Sequence, residues 1–323
     1  MKRIVDFLRK NEQGIVVKIE TKSLLIGVFS GILAFCAILY IFGDVETEFS
    51  FVIGEGKNEI YSNMNVKKKD TIISYNIRYD NKWDKENLWT LRKDRLSQLL
   101  MDYNPSIFGI QEGLLNQVEW IDSTLRNYNY IGVGRDDGKG KGEFCAIYFD
   151  TTRYEVMESS TFWLSDTPNK VSVGWDAALE RICTYGLFKK KMSGKMVWVF
   201  NAHFDHVGGI ARKKSSELIL KKIKELNTKS LPVILMGDFN SNPDSDPIKI
   251  FKNNLQDALE ISSTTLKGPR GTFNGFDTIH PMDNRIDYIF VKDMKVTSYR
   301  HIDDRLSNNR HISDHLPVMI SVQ

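Results

Sequence analysis

The sequence predicts an α/β fold, a sandwich of two packed sheets standing behind an apolar N-terminal segment. Short apolar or alternating runs recur along residues 71–323, each closed by polar or Gly-containing breaks. Only about four stretches have helical spacing, and they do not alternate strictly with the strand-like runs, which argues against a simple doubly wound sheet. A hydrophobic content of 41% and an aromatic content of 11% supply a sizeable core. At 323 residues the chain has room for one large domain or two medium ones.

The N-terminus sets the organisation. From Leu24 to Phe42 the chain reads LLIGVFSGILAFCAILYIF, uncharged and about the length of a bilayer-spanning helix. Lys18 and Lys22 precede it and Asp44, Glu46 and Glu48 follow, so the positive-inside bias places the N-terminus in the cytoplasm and the main domain outside it. The run is long for a signal peptide, starts late and lacks a small-x-small cleavage site. A bulky Phe35 before Cys36 disfavours a lipoprotein site. The expected layout is a basic cytoplasmic segment over 1–22, a transmembrane anchor over 23–43, a weakly patterned linker over 44–69 and the main domain over 70–323. The expected location is the cell membrane, as a single-pass protein.

Charge and cysteine narrow the partners. The net charge of +3 resides in residues 1–22, where six Lys and Arg outnumber three Asp and Glu. The remainder is neutral, which gives no support to a strongly basic, tight grip on nucleic acid but leaves room for a nuclease that holds its substrate briefly. Cys145 and Cys183 lie in strand-like runs, too far apart for a Cys-x-x-Cys site, and are expected as buried free thiols.

Taken in order, Thr71 to Asn76 reads as a strand ending in a polar residue. A helix follows from about Asn87 to Tyr103, with Leu96, Leu99, Leu100 and Tyr103 on one face, closed by Asn104-Pro105. Ile107 to Glu112 is a second strand ending in a carboxylate, and Val118, Ile121 and Leu125 mark a short helix. Tyr130–Gly134 and Phe144–Phe149 read as strands around the Gly-rich 136–142, with Glu143 at the start of the second. After a strand near Tyr154–Leu164, a long loop carries Trp163 and Trp175, and Arg181 opens the next strand. Val197–Phe200 leads into Asn201-Ala-His203-Phe-Asp205. A lysine-rich helix over about Ala211–Asn227 has a solvated basic face and turns Ile219, Ile223 and Leu226 inward. Asp246-Pro247 predicts a helix start with an Asp cap. Residues 264–284 form a loop, Arg285–Val291 is an alternating strand, and Ile312–Val318 leads into the last one.

Within this series the run LPVILMGDFNSN stands out. Val233 to Met236 is continuously apolar, as in a strand buried on both faces, and Asp238 and Asn240 follow two residues apart at its tip. Alone, such a pair is as well explained by a turn. Lone His203 or His315 would be a satisfied structural histidine, and lone Glu112 a cap. Repetition changes the weighing. Asn76, Glu112, His203, Asp238, Asn240, Asp287, Asp314 and His315 all fall at or beside ends of apolar runs. If the sheets gather those ends, a cleft rich in carboxylate and imidazole results. Carboxylates without cysteine suit a hard cation, Mg²⁺ or Mn²⁺, which would also relieve their repulsion. Such a site is matched to attack by water on a phosphodiester or phosphomonoester.

The motifs SYNIRYDN, FGIQEG, NAHFDH, LMGDFNSNP, RIDYIFV and ISDHLPV, in that order over 71–323, resemble those of the endonuclease/exonuclease/phosphatase superfamily, with its deoxyribonuclease I-like fold. The loop WLSDTP and the run GWDAALERICTY resemble its bacterial exported and nocturnin-like members. The resemblance implies a four-layered sandwich of two packed mixed β-sheets flanked by helices, preceded here by one transmembrane helix. It implies Glu112 as the main metal ligand, with Asn76 beside it and Asp314 completing or flanking the site. Asp238 would orient or deprotonate the attacking water, and Asn240 would hydrogen-bond the phosphoryl oxygens. His315, held by Asp287, would stabilise charge on phosphate. His203 would be a second phosphate-facing or acid/base imidazole, partnered by Glu143. Arg181 fits either a phosphate contact or a structural ion pair. The expected activity is a membrane-anchored, Mg²⁺- or Mn²⁺-dependent phosphoesterase acting on nucleic acid or a nucleotide-like phosphodiester. The alternative substrates are a phospholipid or sphingomyelin head group, or an inositol or sugar phosphate; a non-catalytic binding module is a distant third reading. Trp163, Trp175, Phe273 and Phe276 lie in loops where an aromatic ring can stack a base or a sugar.

Overall fold

The computed structural model describes residues 9–11, 14–20, 45–53 and 59–323, with side chains from Lys69 onward. The chain divides into two units, Met1–Lys69 and Asp70–Gln323. In the first, strands β1 (Arg9–Asn11), β2 (Gly14–Glu20), β3 (Val45–Ile53) and β4 (Glu59–Lys68) pair antiparallel in the order β1-β2-β4-β3. The stretches expected as a basic N-terminus and a linker thus contain strands. The expected membrane span, 23–43, lies outside the described residues. Among the described residues no helix is long and apolar enough to cross a membrane.

The second unit is built on two six-stranded sheets. One contains β5 (Asp70–Asn76), β6 (Ile107–Gln111), β7 (Tyr128–Ile131), β8 (Ile147–Asp150), β15 (Val296–His301) and β16 (Val318–Val322), ordered β15-β16-β5-β6-β8-β7. The other contains β9 (Tyr154–Trp163), β10 (Ile182–Lys190), β11 (Met196–His203), β12 (Val233–Asp238), β13 (Gln256–Asp257) and β14 (Asp287–Lys292), ordered β13-β14-β12-β11-β10-β9. Both sheets are mixed: β5 with β6 and β11 with β12 run parallel, and the other pairs run antiparallel. Helices α1 (Trp89–Tyr103) and α2 (Leu115–Thr124) pack on the outer face of the first sheet. Helices α3 (Gly209–Leu226) and α4 (Asp246–Lys252) pack on that of the second. The four expected layers are present.

Side-chain alternation explains why the sandwich closes. In β12, Ile234 and Met236 join the core between the sheets, whereas Val233 and Leu235 pack under the helices. The same division separates Val197 and Val199 from Trp198 and Phe200 in β11, and Ile289 and Val291 from Tyr288 and Phe290 in β14. A continuous apolar run is what two buried faces require. Each inter-sheet Ile removed to Ala would cost about 2–5 kcal/mol.

Local boundaries differ from expectation where short-range geometry intervenes. Lys85–Asn87 forms a 3₁₀ turn, so α1 starts at Trp89. The cap of α4 is Ser245 rather than Asp246; the Asp falls inside the first turn, where its charge faces the positive end of the helix. Trp163 ends β9 instead of lying in the following loop. Phe144 joins Gly113 and Gly134 only through isolated bridges, so regular pairing of β8 begins at Ile147. Cys145 and Cys183 are buried free thiols, as expected.

Candidate active site

The site grows out of the inter-sheet rows. Following Ile234 and Met236, the next side chain on that face of β12 is Asp238; following Val197, Val199 and Asn201 in β11 comes His203; before Ile289 in β14 comes Asp287; after Ile72 and Ser74 in β5 comes Asn76. Strand register aligns them, His203 opposite Asp238 and Asp238 opposite Asp287. One end of an apolar core therefore becomes polar on four strands at once. Gly237, at φ 153°, makes this possible, because a Cβ there would lie 2.0 Å from the Ala202 carbonyl oxygen.

Beneath the site the sheets are tied by amides that sequence reading did not single out. Asn201 donates to the carbonyls of Ile110 (2.8 Å) and Ala146 (2.9 Å) and accepts from Gln111 Nε2 at 2.6 Å. Gly109 leaves room for this crossing, since a Cβ there would come within 2.8 Å of Asn201 Cγ.

Asn76, fully buried, donates from Nδ2 to Glu112 Oε1 and to Asp238 Oδ2, both at 3.0 Å, while its Oδ1 accepts from Arg78 N. It thus presents its amino group, and not its carbonyl, to Glu112. Glu112 also accepts from Tyr79 N at 3.2 Å and has φ 62°, a left-handed backbone that turns the carboxylate back over the strand end. Asn240 shares this conformation at φ 45°, and its backbone N–H donates to Asp238 Oδ1 at 2.9 Å.

His315 Nδ1 lies 2.8 Å from Asp287 Oδ2, with Nε2 3.7 Å from Asp238 Oδ2. Burial alone would push this imidazole down, but Asp287 and then Asp238 outweigh it and hold its pKa well above the ordinary value. With Asp287 as acceptor, Nδ1 carries a proton. Burial, and then the charge of Asp287, raises the pKa of Asp238. Asp314 is pushed up to about 6 by burial and Glu112, against His315 and Arg78. Arg78 reaches it at 3.7 Å while held by Asp84.

His203 belongs to a different arrangement. Burial and then Arg181 lower its pKa to about 3, so it is neutral, and its 3.6 Å approaches to Glu143 and Asp238 are not ion pairs. Its Nε2, with one lone pair, faces both Asn240 Nδ2 and Arg181 Nη1, each at 3.2 Å, and Asn240 Nδ2 also donates to the Phe204 carbonyl at 3.0 Å. Glu143 makes its short contact, 2.6 Å, with Arg135. Arg181, 4% exposed, also donates from Nε to Asp205 (3.3 Å). Of the two expected roles the structural ion pair is present on one edge of Arg181, and the other edge meets His203 and His206. Asp205 and Arg78 were missed as individuals, although both sit inside quoted motifs.

Of the aromatics expected in loops, Trp163 is buried at the end of β9 and donates to the Arg135 carbonyl, Trp175 is tied to Asp166, and Phe276 packs against Arg92. Phe273 is 38% exposed and stands edge-on to His315, the ring centroids 5.1 Å apart.

Glu112, His203 and Asp238 form one group able to hold a metal ion, and Asp238, Asp287 and His315 a second. The chemistry of the site fits a hard divalent cation. Four carboxylates converge, two of them with raised proton affinity, and the buried Asp287 Oδ1 has no partner among the described residues.

Residues 73–315 match the sequence profile of the endonuclease/exonuclease/phosphatase family. The chain is 39% identical to the solved mannosyl-6-phosphatase of Bacteroides thetaiotaomicron, covering 79% of this chain and 99% of that one with a TM-score of 0.76. An uncharacterized protein of Acanthamoeba polyphaga mimivirus is 29% identical over 250 residues, 72% of this chain and 91% of the relative. D. rerio TDP2, solved with a single-strand DNA product, shares the fold at 19% identity, with a TM-score of 0.65 over 80% of this chain and all of that one.

Proposed function

The chain belongs to the endonuclease/exonuclease/phosphatase family, hydrolases of phosphoester bonds, and on that premise we propose that it is a Mg²⁺- or Mn²⁺-dependent phosphomonoesterase acting on a small phosphorylated carbohydrate. One observation carries the chemistry: Asp238 stands between Asn76, the His315–Asp287 pair and the Asn240–His203–Arg181 cluster, with Glu112 adjoining. The carbohydrate is supported by the 39% identity to a mannosyl-6-phosphatase and by the neutral charge of the chain beyond residue 22.

Glu112 would hold the cation, with Asn76 orienting its carboxylate and Asp314 flanking it. When bound there, the ion neutralises charge on the phosphoryl group. Asp238, its proton affinity raised, serves as the base that orients and deprotonates the attacking water. Arg181 donates to a phosphoryl oxygen through its remaining Nη1 hydrogen; Asn240 gives one Nδ2 hydrogen to the Phe204 carbonyl, and the other, resting on neutral His203 Nε2, is the one that would pass to the phosphate. His315, charged and held by Asp287, stabilises the charge that develops on the phosphate. Glu143, bonded to Arg135, faces the Nδ1 side of His203 at 3.6 Å without a hydrogen bond to it.

The test uses the full chain and a panel of phosphomonoesters, phosphodiesters, DNA and RNA, with Mg²⁺ and with EDTA. Turnover of the monoesters is expected with Mg²⁺, to vanish in EDTA and to fall by about 10²–10⁴ in Asp238→Ala. Undiminished activity in EDTA or in that variant would overturn the mechanism. Preference for single-stranded nucleic acid is the second reading, favoured by the exposed ring of Phe273 beside His315; the same panel decides between them. Residues 23–43 are kept in this reading as a single-pass membrane anchor, on the strength of the uncharged run Leu24–Phe42 and its flanking charges. Recovery of the full chain from cells without detergent would refute it.

A further inference from the structure

We infer that His206 is a specificity-determining residue that donates a hydrogen bond to an oxygen on the alcohol part of the substrate, in the tautomer that Arg181 imposes on it. The inference rests on the phosphomonoesterase reading above.

A guanidinium has five N–H donors and no acceptor. Arg181 Nη2 lies 2.9 Å from Nδ1 of His206, and Nη1 lies 3.2 Å from Nε2 of His203. Both ring nitrogens must therefore carry the lone pair. One arginine thereby fixes two histidines three residues apart in opposite tautomers: His203 keeps its hydrogen on Nδ1, and His206 keeps its hydrogen on Nε2. Among the described residues nothing accepts from Nε2 of His206, and the ring is exposed.

The arrangement is held in advance of any ligand. Asp205, 1% exposed, accepts from Arg181 Nε and Ala178 N through one oxygen and from Val207 N and Gly208 N through the other. Asp176 accepts from Ile210 N and Ala211 N at the start of α3. The chain before Arg181 and the chain carrying His206 are thus tied to each other on both sides of the guanidinium. A donor fixed by its supports loses little entropy on meeting a ligand.

Position assigns the ligand group. Asn240 and Arg181 Nη1 converge on His203 Nε2, which marks the phosphoryl side of the arginine. His206 hangs from the other terminal nitrogen, toward solvent. On this inference a phosphate engaging Nη1 has its alcohol directed outward, past the exposed His206. The group that an imidazole N–H recognises there is a hydroxyl or ring oxygen, as a sugar or polyol offers and a plain aryl group does not. If His206 only satisfied Arg181, its loss would affect every phosphomonoester alike.

The experiment measures kcat/KM of the full chain in Mg²⁺ for mannose 6-phosphate and for p-nitrophenyl phosphate, whose leaving group bears no hydroxyl. His206→Ala is expected to lower the sugar-to-aryl ratio about three- to tenfold. His206→Gln, whose terminal amide N–H can replace Nε2–H, is expected to restore most of it. An unchanged ratio in His206→Ala, or a ratio that Gln does not raise above Ala, overturns the inference. Wild-type hydrolysis of the aryl ester without the sugar phosphate also overturns it, while leaving the phosphoesterase chemistry standing. Hydrolysis of neither removes both.

Discussion

Replacing Asp287 by asparagine keeps the shape of the side chain and removes its charge. In the native site the carboxylate lies 2.8 Å from His315 Nδ1, and both residues are at most 5% exposed. A hydrogen bond between charged groups contributes about 1.5–3 kcal/mol net. If that bond serves mainly to hold His315 charged and aimed at the phosphate, its loss appears in the transition state. The expected fall in kcat is then about 10- to 150-fold. Steady-state release of phosphate in Mg²⁺ measures it, and thermal unfolding checks that the variant folds. Among the described residues Asp287 Oδ1 has no partner, so the amide meets no opposing donor there, and the N–H it leaves unpaired should cost about 1–3 kcal/mol in the unfolding check. The decisive comparison is a cycle with His315→Gln. If Asp287 acts through the imidazole, the double variant falls no further than His315→Gln alone. Losses that multiply would refute the argument, because Asp287 would then be acting on something other than His315.

Other perturbations probe the frame around the site. Asn201→Ala strands the carbonyls of Ile110 and Ala146 and the amide of Gln111, and is expected to cost about 3–5 kcal/mol in urea unfolding; a cost below about 1 kcal/mol would show that the inter-sheet bridge is not structural. Asp257→Asn leaves the buried guanidinium of Arg285, now bound at 2.6 and 2.9 Å, without its counter-charge, and about 3–5 kcal/mol should be lost. His301 is 1% exposed, and burial lowers its pKa to about 4 from an ordinary value of 6.5. Folding therefore favours its neutral form: the contribution is full above pH ~6.5 and is lost as pH falls toward ~4, at most about 3 kcal/mol. His301→Gln should flatten that slope in unfolding curves taken across this window. Glu112→Gln should raise the Mg²⁺ concentration for half-maximal activity at least about tenfold, and an unchanged Mg²⁺ dependence would remove Glu112 from the cation site.

What the sequence determined by itself is the set of apolar rows and the polar residues that end them. Asn76, Asp238, His203 and Asp287 were legible because strand periodicity puts every second side chain on one face, so a row such as Ile234, Met236, Asp238 is local information. The layered architecture followed from the same periodicity, since runs apolar on both faces need cover on both. Apart from the His315–Asp287 pair, which the family resemblance implied and the structure shows at 2.8 Å, partnership was not legible, because it depends on where distant strands are brought. That Asn76 turns its amino group to Glu112, that Glu143 bonds Arg135 more closely than His203, and that Arg181 joins His203, Asp205 and His206 are products of register and of two sheets facing each other. Charge state was decided at the same level. His203 and His315 are both buried histidines at strand ends, yet one is neutral beside an arginine and the other charged beside two carboxylates. Coulomb interactions act over a few ångströms of space whatever the distance along the chain, so the sequence could name the two imidazoles and only the tertiary structure could give each its charge.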